Sequence, residues 1–391
     1  MKMTESHWAV EMKIIIASDS FKGCLSSQEV ASILEQGIKK VRKDVEIIKI
    51  SIADGGEGTI NALVESTKGG FISCRTEDPL MKNINSKYGI LGDNKTVVIE
   101  MAETCSINMV SGLDKNPMNT TTYGMGTQLK HALDKGFRKF IIGLGGACVN
   151  DGGLGMFQSL GFIFKDKNGK TLENGQGGKQ LLELSEIDIS KSDKRLKECV
   201  FVIASDVKNP LHGLNGAAYV YAPQKGATPP FVELLDKGLR NFAKVVKSTF
   251  GIDISELKGA GAAGGIGGGL IAFLNGRMMS GIDMVLDVNN FGELLKTTDL
   301  VITGEGRIDR QTLSGKVLCG IASYCRKSKV PLIAVCGRLE IDEKEIQRLG
   351  IKKVYEISDE GMPLSVAMRD GGKNLAKSAD KIANDLSSLI N

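Results

Sequence analysis

The sequence predicts an α/β protein in which a parallel-sheet domain, built from both ends of the chain, carries an inserted mixed α/β domain. Two observations predict this fold. Strand-like and helix-like segments alternate at both chain ends, as in parallel sheets with helical crossovers. The middle of the chain instead shows short β segments joined by tight turns. We therefore expect residues 12–70 and 290–391 to form one discontinuous domain, residues 71–289 to form the insert, and residues 1–11 to be a flexible extension.

The first elements follow from the residue pattern at the N-terminal end. An apolar run at 13–17 predicts a buried strand. Ser26 and Glu29 have the spacing of a capping box, and the apolar residues after them recur at the spacing of one helix face. A second strand at 45–52 and a short helix at 59–67 complete a strand–helix–strand–helix order. This order indicates parallel pairing with right-handed crossovers.

The middle third of the chain has a different pattern. Segments 71–76, 86–91 and 96–101 predict short strands, and the turns between them indicate antiparallel pairing. A helix is expected at 126–135, and it leads into an apolar strand at 139–144. This part of the chain is therefore expected to be mixed α and β.

Two further features precede the C-terminal part. Residues 199–204 and 217–221 are interpreted as another strand pair, and a helix is expected at 231–250 after a break at two prolines. Regular alternation then returns, which is why the C-terminal part is assigned to the same sheet as the N-terminal part. The predicted segments, alternately strand and helix, are 300–303, 312–327, 331–336, 342–349, 353–357 and 369–389.

Composition excludes several classes of protein. The 50 basic and 46 acidic residues give a net charge of +4, spread too evenly along the chain for a nucleic-acid binder. No apolar run approaches the roughly 20 residues of a membrane-spanning helix, and the N-terminus lacks the apolar block of a secretion signal. The eight cysteines and three histidines lack zinc-site spacing. We expect a cytoplasmic protein that binds neither nucleic acid nor membrane.

The information about chemistry lies in the glycines, which number 48 and are clustered. Glycine turns let backbone N–H groups approach a phosphate or carboxylate, an adjacent Asp or Glu can hold Mg²⁺, and Lys or Arg can neutralise a transferred phosphoryl group. Taken singly, each cluster is more simply a tight turn whose Asp caps the next helix. Together they favour phosphoryl transfer. The five clusters are 18–23, 53–58, 143–153, 259–269 and 303–309.

The sequence matches the known nucleotide-binding motifs only in part. The sequence contains no G-x-x-x-x-G-K-[ST], which excludes a P-loop enzyme. Gly259, Gly261 and Gly264 match G-x-G-x-x-G, and Asp283 lies near the offset of a ribose-binding acid. Residues 252–258 nevertheless form a poor buried strand. An NAD(P)-dependent dehydrogenase of a small hydroxy acid is therefore retained as an alternative function. A non-catalytic regulator that binds a sugar or an acid is a further alternative, and the absence of a DNA-reading helix with basic spacing counts against it.

At these motifs the chain resembles the class I glycerate kinases of bacteria, over nearly all of residues 12–389. The motifs occur in family order, and several in one order are far more specific than any one alone. They are Asp19-Ser-Phe-Lys-Gly, Ala53-Asp-Gly-Gly-Glu-Gly-Thr, Gly145-Gly, Asn150-Asp-Gly-Gly, Asp206-Val-Lys-Asn-Pro-Leu, Pro223-Gln-Lys-Gly-Ala, Gly259-Ala-Gly-Ala-Ala-Gly-Gly, Ser280-Gly-Ile and Thr303-Gly-Glu-Gly-Arg-Ile-Asp.

The resemblance implies both the fold and the reaction. It implies a Rossmann- or flavodoxin-like domain with a second α/β domain inserted, in agreement with the division argued above. It also implies that MgATP phosphorylates D-glycerate, at the 2-hydroxyl in preference to the 3-hydroxyl. We expect direct in-line transfer in a cleft between the domains, with ATP and Mg²⁺ as cofactors. The protein is expected to be a monomer or a homodimer.

Candidate site residues follow from the chemistry of a small hydroxy acid and a triphosphate. A base, a metal and several cations are required. One sequence does not assign base against metal ligand, and Lys225 could equally be a solvated surface lysine. The catalytic candidates are Asp54, Asp151, Asp206 and Lys22, and the metal candidates are Glu305 and Asp309. The candidates for binding substrate or phosphate are Asp19, Ser20, Gly55, Gly56, Gly145, Gly146, Asn150, Gly264, Gly265, Arg307 and Lys225.

Overall fold

A computed structural model describes residues 12–52, 59–313, 317–359 and 361–390. As far as residue 279 the elements are β1 (Lys13–Ser18), α1 (Ser27–Val41), β2 (Glu46–Lys49), α2 (Thr59–Ser66), β3 (Gly70–Glu77), β4 (Asn83–Ile90), β5 (Thr96–Glu100), α3 (Ala102–Cys105), α4 (Tyr123–Asp134), β6 (Lys139–Gly143), α5 (Leu154–Ser159), β7 (Ile163–Lys165), β8 (Glu186–Asp188), β9 (Val200–Ala204), α6 (Ala217–Tyr221), α7 (Pro229–Phe250), α8 (Ala262–Leu274) and β10 (Arg277–Met279). The elements that follow are α9 (Gly281–Val288), α10 (Phe291–Leu294), β11 (Leu300–Ile308), α11 (Arg310–Leu313), α12 (Val317–Ser328), β12 (Leu332–Leu339), α13 (Glu343–Leu349), β13 (Ile351–Glu356), α14 (Leu364–Arg369) and α15 (Gly371–Ile390).

The described residues of Met1–Asp54 and Ile282–Asn391 form one compact unit, here called the first unit. Its sheet has five parallel strands in the order β13-β12-β11-β1-β2. Strand β1 comes from one chain end and pairs with β11 from the other, with Ile14 opposite Leu300. This confirms the prediction that the two ends share one parallel sheet.

Helix α1 begins where the sequence pattern places it. Ser26 Oγ accepts the Glu29 backbone N–H at 3.2 Å, and the Glu29 carboxylate accepts the Ser26 N–H at 2.7 Å, so the predicted capping box is present. The buried face of α1 packs against α15, and a Cβ added at Gly37 would collide with Ala379. The cap fixes the residue at which α1 begins, so the loop after β1 ends at Ser26.

The described residues of Gly55–Gly281 form the second compact unit. Its main sheet has the order β10-β9-β6-β5-β4-β3. The pairs β3–β4 and β4–β5 are antiparallel, as the turns between them predict, whereas β5, β6, β9 and β10 run parallel. One large apolar core lies around this sheet. The domain boundaries inferred from sequence, 70/71 and 289/290, stay predictions.

Two sequence expectations about individual segments are wrong. The stretch 217–221 is not a strand but helix α6. The glycine cluster 303–309 is not a turn, because β11 continues to Ile308 and pairs with β12 along that length. The cluster 259–269 does contain a turn, at 258–261, and its backbone is left-handed at Ala263, Gly264 and Gly265; the regular, almost wholly buried part of α8 follows this kink. In both clusters the glycines serve close packing: Cβ atoms at Gly304 and Gly269 would collide with, or crowd, backbone of neighbouring segments.

None of the helices within the described ranges is long and apolar enough to cross a membrane.

Candidate active site

A cavity lies at the carboxyl ends of the strands in the first unit. The strand order reverses at β1, because β2 lies on one side while β11, β12 and β13 follow on the other. Ligands in open parallel sheets bind outside the strand ends at such a switch point. The cavity has a volume of about 730 Å³. Six sequence-predicted site residues line it, namely Asp19, Ser20, Lys22, Glu305, Arg307 and Asp309.

The loop after β1 brings the first three of these residues to the cavity. The Asp19 N–H donates to the carbonyl of Gly304 on β11 at 2.9 Å, so the first residue of the loop is still bonded to the neighbouring strand. The Asp19 carboxylate accepts the Ser20 N–H at 2.6 Å. Gly23 has a φ of +74°, which allows the chain to turn back toward α1 just after Lys22. The tight turn thus presents a carboxylate, a hydroxyl and an ammonium at one strand end.

Glu305 is the most unusual titratable group of this cavity. It is part of β11, two residues beyond the end of the predicted strand 300–303. Its Oε1 is buried and has no hydrogen-bond partner among the described residues. Burial raises the pKa of the Glu305 carboxyl to about 7, and the negative charges of Asp19 and Asp309 act in the same direction. A strongly shifted acid in a cavity is typical of a functional site.

Asp309 and Arg307 are more fully engaged than Glu305. The Asp309 Oδ2 lies 3.1 Å from Nε of Arg307, and its Oδ1 accepts the backbone N–H of Thr312 at 3.2 Å. Arg307 also lies 3.9 Å from a Glu340 carboxylate oxygen and is 58% exposed. Asp309 therefore caps the turn after β11 as well as lining the cavity. Arg307 is a solvent-accessible cation at the cavity.

These residues fit a magnesium ion of the kind used in phosphoryl transfer. Mg²⁺ prefers oxygen ligands and is usually held by one or two carboxylates, with water and substrate phosphates completing the shell. The buried Oε1 of Glu305, which lacks a partner within the described part of the chain, is an oxygen of that type. No group of three ligating side chains is assembled within the described ranges.

Sequence reasoning missed two charged residues of the cavity, Arg338 and Glu340. They follow Gly337 at the end of β12, the strand next to β11. A Cβ at Gly337 would collide with the carbonyl of Gly306, so the two strands approach closely here. The available signal was a glycine and an arginine directly after a predicted strand, the same pattern that identified the other clusters.

In the second unit, Asp151 is enclosed by its own hydrogen bonds. It is 0% exposed. Its Oδ2 accepts Thr122 N–H at 2.9 Å, Thr122 Oγ1 at 2.9 Å and Gly155 N–H at 3.3 Å, and its Oδ1 accepts Gly153 N–H at 3.0 Å. Burial raises the pKa of this carboxyl, while the same hydrogen bonds oppose the rise. The carboxylate ties the start of α5 to the start of α4.

Lys225 and Asn150 lie beside this carboxylate. Lys225 ends a 3-10 turn, is 3% exposed, and its Nζ donates to the carbonyl of Val149 at 2.7 Å. It is therefore not a surface lysine, and burial lowers its pKa to about 8. Asn150 is fully buried, and neither its Oδ1 nor its Nδ2 has a hydrogen-bond partner in the described part of the chain. A Cβ at Gly264 would collide with this loop, which explains that glycine.

A second group of predicted residues lies at the carboxyl edge of the large sheet. Strands β6 and β9 pair with Gly143 opposite Ala204. Gly145 and Asp206 each lie two residues beyond these paired positions. They therefore follow neighbouring strands at the same edge of the sheet. Asp206 is partly exposed, and its Oδ1 accepts the N–H of Gly281 at 3.3 Å. Gly146 is exposed with a φ of +70°.

The remaining predicted residues are placed as follows. Gly265 packs against the side chains of Leu239 and Leu211, so it belongs to the apolar core. Residues 252–258, which precede the G-x-G-x-x-G match, form no strand. The dinucleotide fingerprint requires one, and the dehydrogenase alternative is not favoured. Asp54, Gly55 and Gly56 lie outside the described residues.

Known proteins resemble this chain over nearly its whole length. A sequence profile of the glycerate kinase family matches residues 14–387. A glycerate kinase of Haemophilus influenzae is 41% identical over 375 residues, covering 96% of this chain and 99% of that protein. The glycerate 2-kinase of Escherichia coli K12 is 41% identical over 375 residues, covering 96% and 98%. A crystal structure assigned to glycerate kinase 2 of Salmonella typhimurium LT2 superposes with a TM-score of 0.84 at 40% identity, covering 96% of this chain and 98% of that one.

Proposed function

This chain belongs to the glycerate kinase family and is a phosphotransferase, and we propose that it transfers the γ-phosphoryl group of ATP to the 2-hydroxyl of D-glycerate. The name of the Escherichia coli relative, glycerate 2-kinase, supports the 2-hydroxyl. One observation carries the proposal. Glu305, with a buried oxygen that lacks a partner among the described residues, lines the same cavity as the cations Lys22 and Arg307.

The proposed mechanism uses these side chains for positioning and charge neutralisation, which supply most of the rate in phosphoryl transfer. Lys22 and Arg307 offset the negative charge of the phosphoryl oxygens. Glu305 would be the principal ligand of a bound Mg²⁺, and Asp309 would be the second. The chemistry that the metal would supply is neutralisation of negative charge on the phosphoryl group. Asp19 and Ser20 orient the same group from the end of β1.

Transfer is proposed to be direct and in line. The glycerate oxygen forms its bond to the γ-phosphorus as the bond from that phosphorus to the β–γ bridging oxygen breaks. ADP leaves, and the hydroxyl proton passes to a carboxylate. The proposed route has no phosphoenzyme, and the three histidines of the sequence show no signature of a phosphohistidine intermediate.

Asp206 is the proposed base among the carboxylates of the second unit. Both oxygens of Asp151 already accept hydrogen bonds inside the core, so a substrate hydroxyl has no approach to it. Asp206 is partly exposed at a sheet edge. Asp54 stays a candidate. The backbone of Gly145, Gly146, Gly55 and Gly56 is proposed to bind substrate or phosphate, while Lys225, Gly264 and Gly265 shape the loop around residue 150. Asn150 stays a binding candidate, because both polar atoms of its buried side chain lack a partner among the described residues.

The test is an assay with ATP, Mg²⁺ and D-glycerate, in which phosphorus NMR identifies the product. We expect 2-phosphoglycerate and ADP. Formation of 3-phosphoglycerate would mean that the 3-hydroxyl is the acceptor. Absence of any phosphorylated glycerate would overturn the proposal. Chiral γ-phosphate should transfer with inversion, whereas retention would indicate a phosphoenzyme. Because the reaction uses ATP, we place the protein in the cytoplasm.

A further inference from the structure

One wall of the cavity in the first unit is apolar. It is formed by Ile357, Met362, Leu364, Ala367 and Met368, and these five residues are called the apolar wall. The last three belong to helix α14 at positions i, i+3 and i+4, which share one helix face. Leu364 is 72% exposed and Met368 is 37% exposed. Such a stripe normally packs against the protein core, so an exposed one that lines a cavity is suited to a ligand.

Charged side chains line another part of the cavity. Lys22, Arg307 and Arg338 supply cations, and Asp19 and Glu305 belong to the carboxylates beside them. A ligand that fills the cavity must therefore carry an anionic, metal-binding end and an apolar end. ATP has both, in its triphosphate and its adenine ring. D-glycerate is polar throughout and has no group that would use the apolar wall.

The size of the cavity agrees with this chemistry. Its volume of about 730 Å³ has room for roughly two dozen water molecules at about 30 Å³ each. It falls within the range of about 300–1,000 Å³ that is typical of sites for ligands larger than a three-carbon acid. Methionine is well suited to an aromatic ring, because its polarisable sulfur makes favourable contacts with such rings.

The apolar wall is held against the loop that carries Lys22. Cys24 Sγ donates to the carbonyl of Met368 at 3.0 Å. A Cβ at Gly23 would lie 2.8 Å from Cε of Met368, and one at Gly371 would collide with Cys24. These contacts hold Met368 of the apolar wall close to the loop that carries Lys22.

We infer that the first unit binds ATP, with its adenine ring on the apolar wall and its triphosphate toward Lys22 and Glu305. This inference rests on the proposed function for the identity of the phosphoryl donor. It adds which unit binds the nucleotide and which residues contact the adenine ring. The apolar wall contributes affinity for the adenine ring, and the charged residues contribute affinity for the phosphates.

Calorimetric titration of the full chain tests the inference, with Mg²⁺ present and glycerate absent. The probes are ATP, and tripolyphosphate, which lacks the base. Met368→Gln preserves the length of the side chain but removes its apolar contact. It should weaken ATP binding roughly tenfold and leave tripolyphosphate binding unchanged. Leu364→Gln should act in the same direction. Ser365→Gln, on the same helix but away from the cavity lining, is the matched control and should change neither.

The outcomes separate this inference from the proposed function. Equal weakening of ATP and tripolyphosphate by Met368→Gln, or no weakening of either, overturns the inference. So does a kinase assay in which that variant raises KM for glycerate and not for ATP. If Met368→Gln weakens the binding of ATP but not of tripolyphosphate, and the wild-type chain does not phosphorylate glycerate, then the nucleotide site stands and the proposed function fails.

Discussion

Two acidic motifs of this chain look alike in sequence and differ in structure. Glu305 and Asp151 both stand among glycines after an apolar strand, and both carboxyl groups are buried enough to raise their pKa. Asp151 has both oxygens occupied by backbone and threonine donors. Glu305 keeps one oxygen that has no partner within the described ranges, and it lines a cavity.

The difference separates a structural carboxylate from a candidate functional one. A buried acceptor that is satisfied stabilises the fold, whereas one left without a donor costs free energy unless a ligand supplies the partner. Burial and a shifted pKa are common to both motifs and so do not discriminate between them. The hydrogen-bond inventory does.

The largest effect is expected from Glu305→Gln. Removing the charge of a positioned metal ligand should lower kcat by about 10²–10³, or roughly 3–4 kcal/mol. The melting temperature should not fall, since the substitution removes a buried charge that destabilises the folded chain. Kinetics and thermal melts of the same preparation check both. Glu340→Gln, also at the cavity but 42% exposed, is the control and should lose far less turnover. Equal losses in the two variants would contradict the assignment.

In contrast to Glu305→Gln, Asp151→Asn should destabilise the folded chain. An amide in place of Oδ2 would turn a donor toward the Thr122 and Gly155 donors, and we expect the free energy of unfolding to fall by about 2–4 kcal/mol. Urea unfolding measures this change. Asp166→Asn, in a turn where Asp166 accepts the N–H groups of Asn168 and Lys170, should cost less than about 1 kcal/mol. A fully stable Asp151→Asn chain without activity would restore Asp151 as a catalytic candidate.

The buried cation of the second unit should be visible in the pH dependence of stability. Lys225 has a pKa of about 8 in the folded chain against 10.5 for a free lysine. Between these pH values the unfolded chain binds more protons, so this group makes the free energy of unfolding rise with pH, by up to about 3 kcal/mol. Lys225→Met should remove that contribution. The measurement is the free energy of unfolding of the wild type minus that of the variant, from pH 7 to 10.5. A difference that does not change with pH would mean that Lys225 is not desolvated.

Arg307 is the exposed counterpart of Lys225, and its effect on stability should be the smallest. Its ion pairs with Asp309 and Glu340 are solvent-accessible, and such pairs contribute about 0–1 kcal/mol. Arg307→Gln should therefore change the free energy of unfolding by less than about 1 kcal/mol, with a further decrease of the effect in high salt. Chemical unfolding at two salt concentrations checks this. A loss of several kcal/mol would show that Arg307 is structural.

Much of the local structure followed from short-range patterns. The capping box at Ser26 and the antiparallel turns of the second unit were predicted because neighbours along the chain determine them. The strand at 217–221 was predicted wrongly, since aromatic and β-branched residues also occur in short helices that pack on a core. The turn expected at 303–309 proved to be strand, because Gly304 and Gly306 serve close contact between strands.

The sequence by itself determined the fold class, the sharing of one parallel sheet by both chain ends, and six of the residues that line the cavity of the first unit. Periodicity and glycine placement are local properties, and the family resemblance adds the order of the motifs. Only the tertiary structure decided which acid is enclosed, that Lys225 is buried, and that α14 turns an apolar face to the cavity of the first unit. Burial and hydrogen bonding depend on residues far apart in the chain, so no pattern of neighbours specifies them.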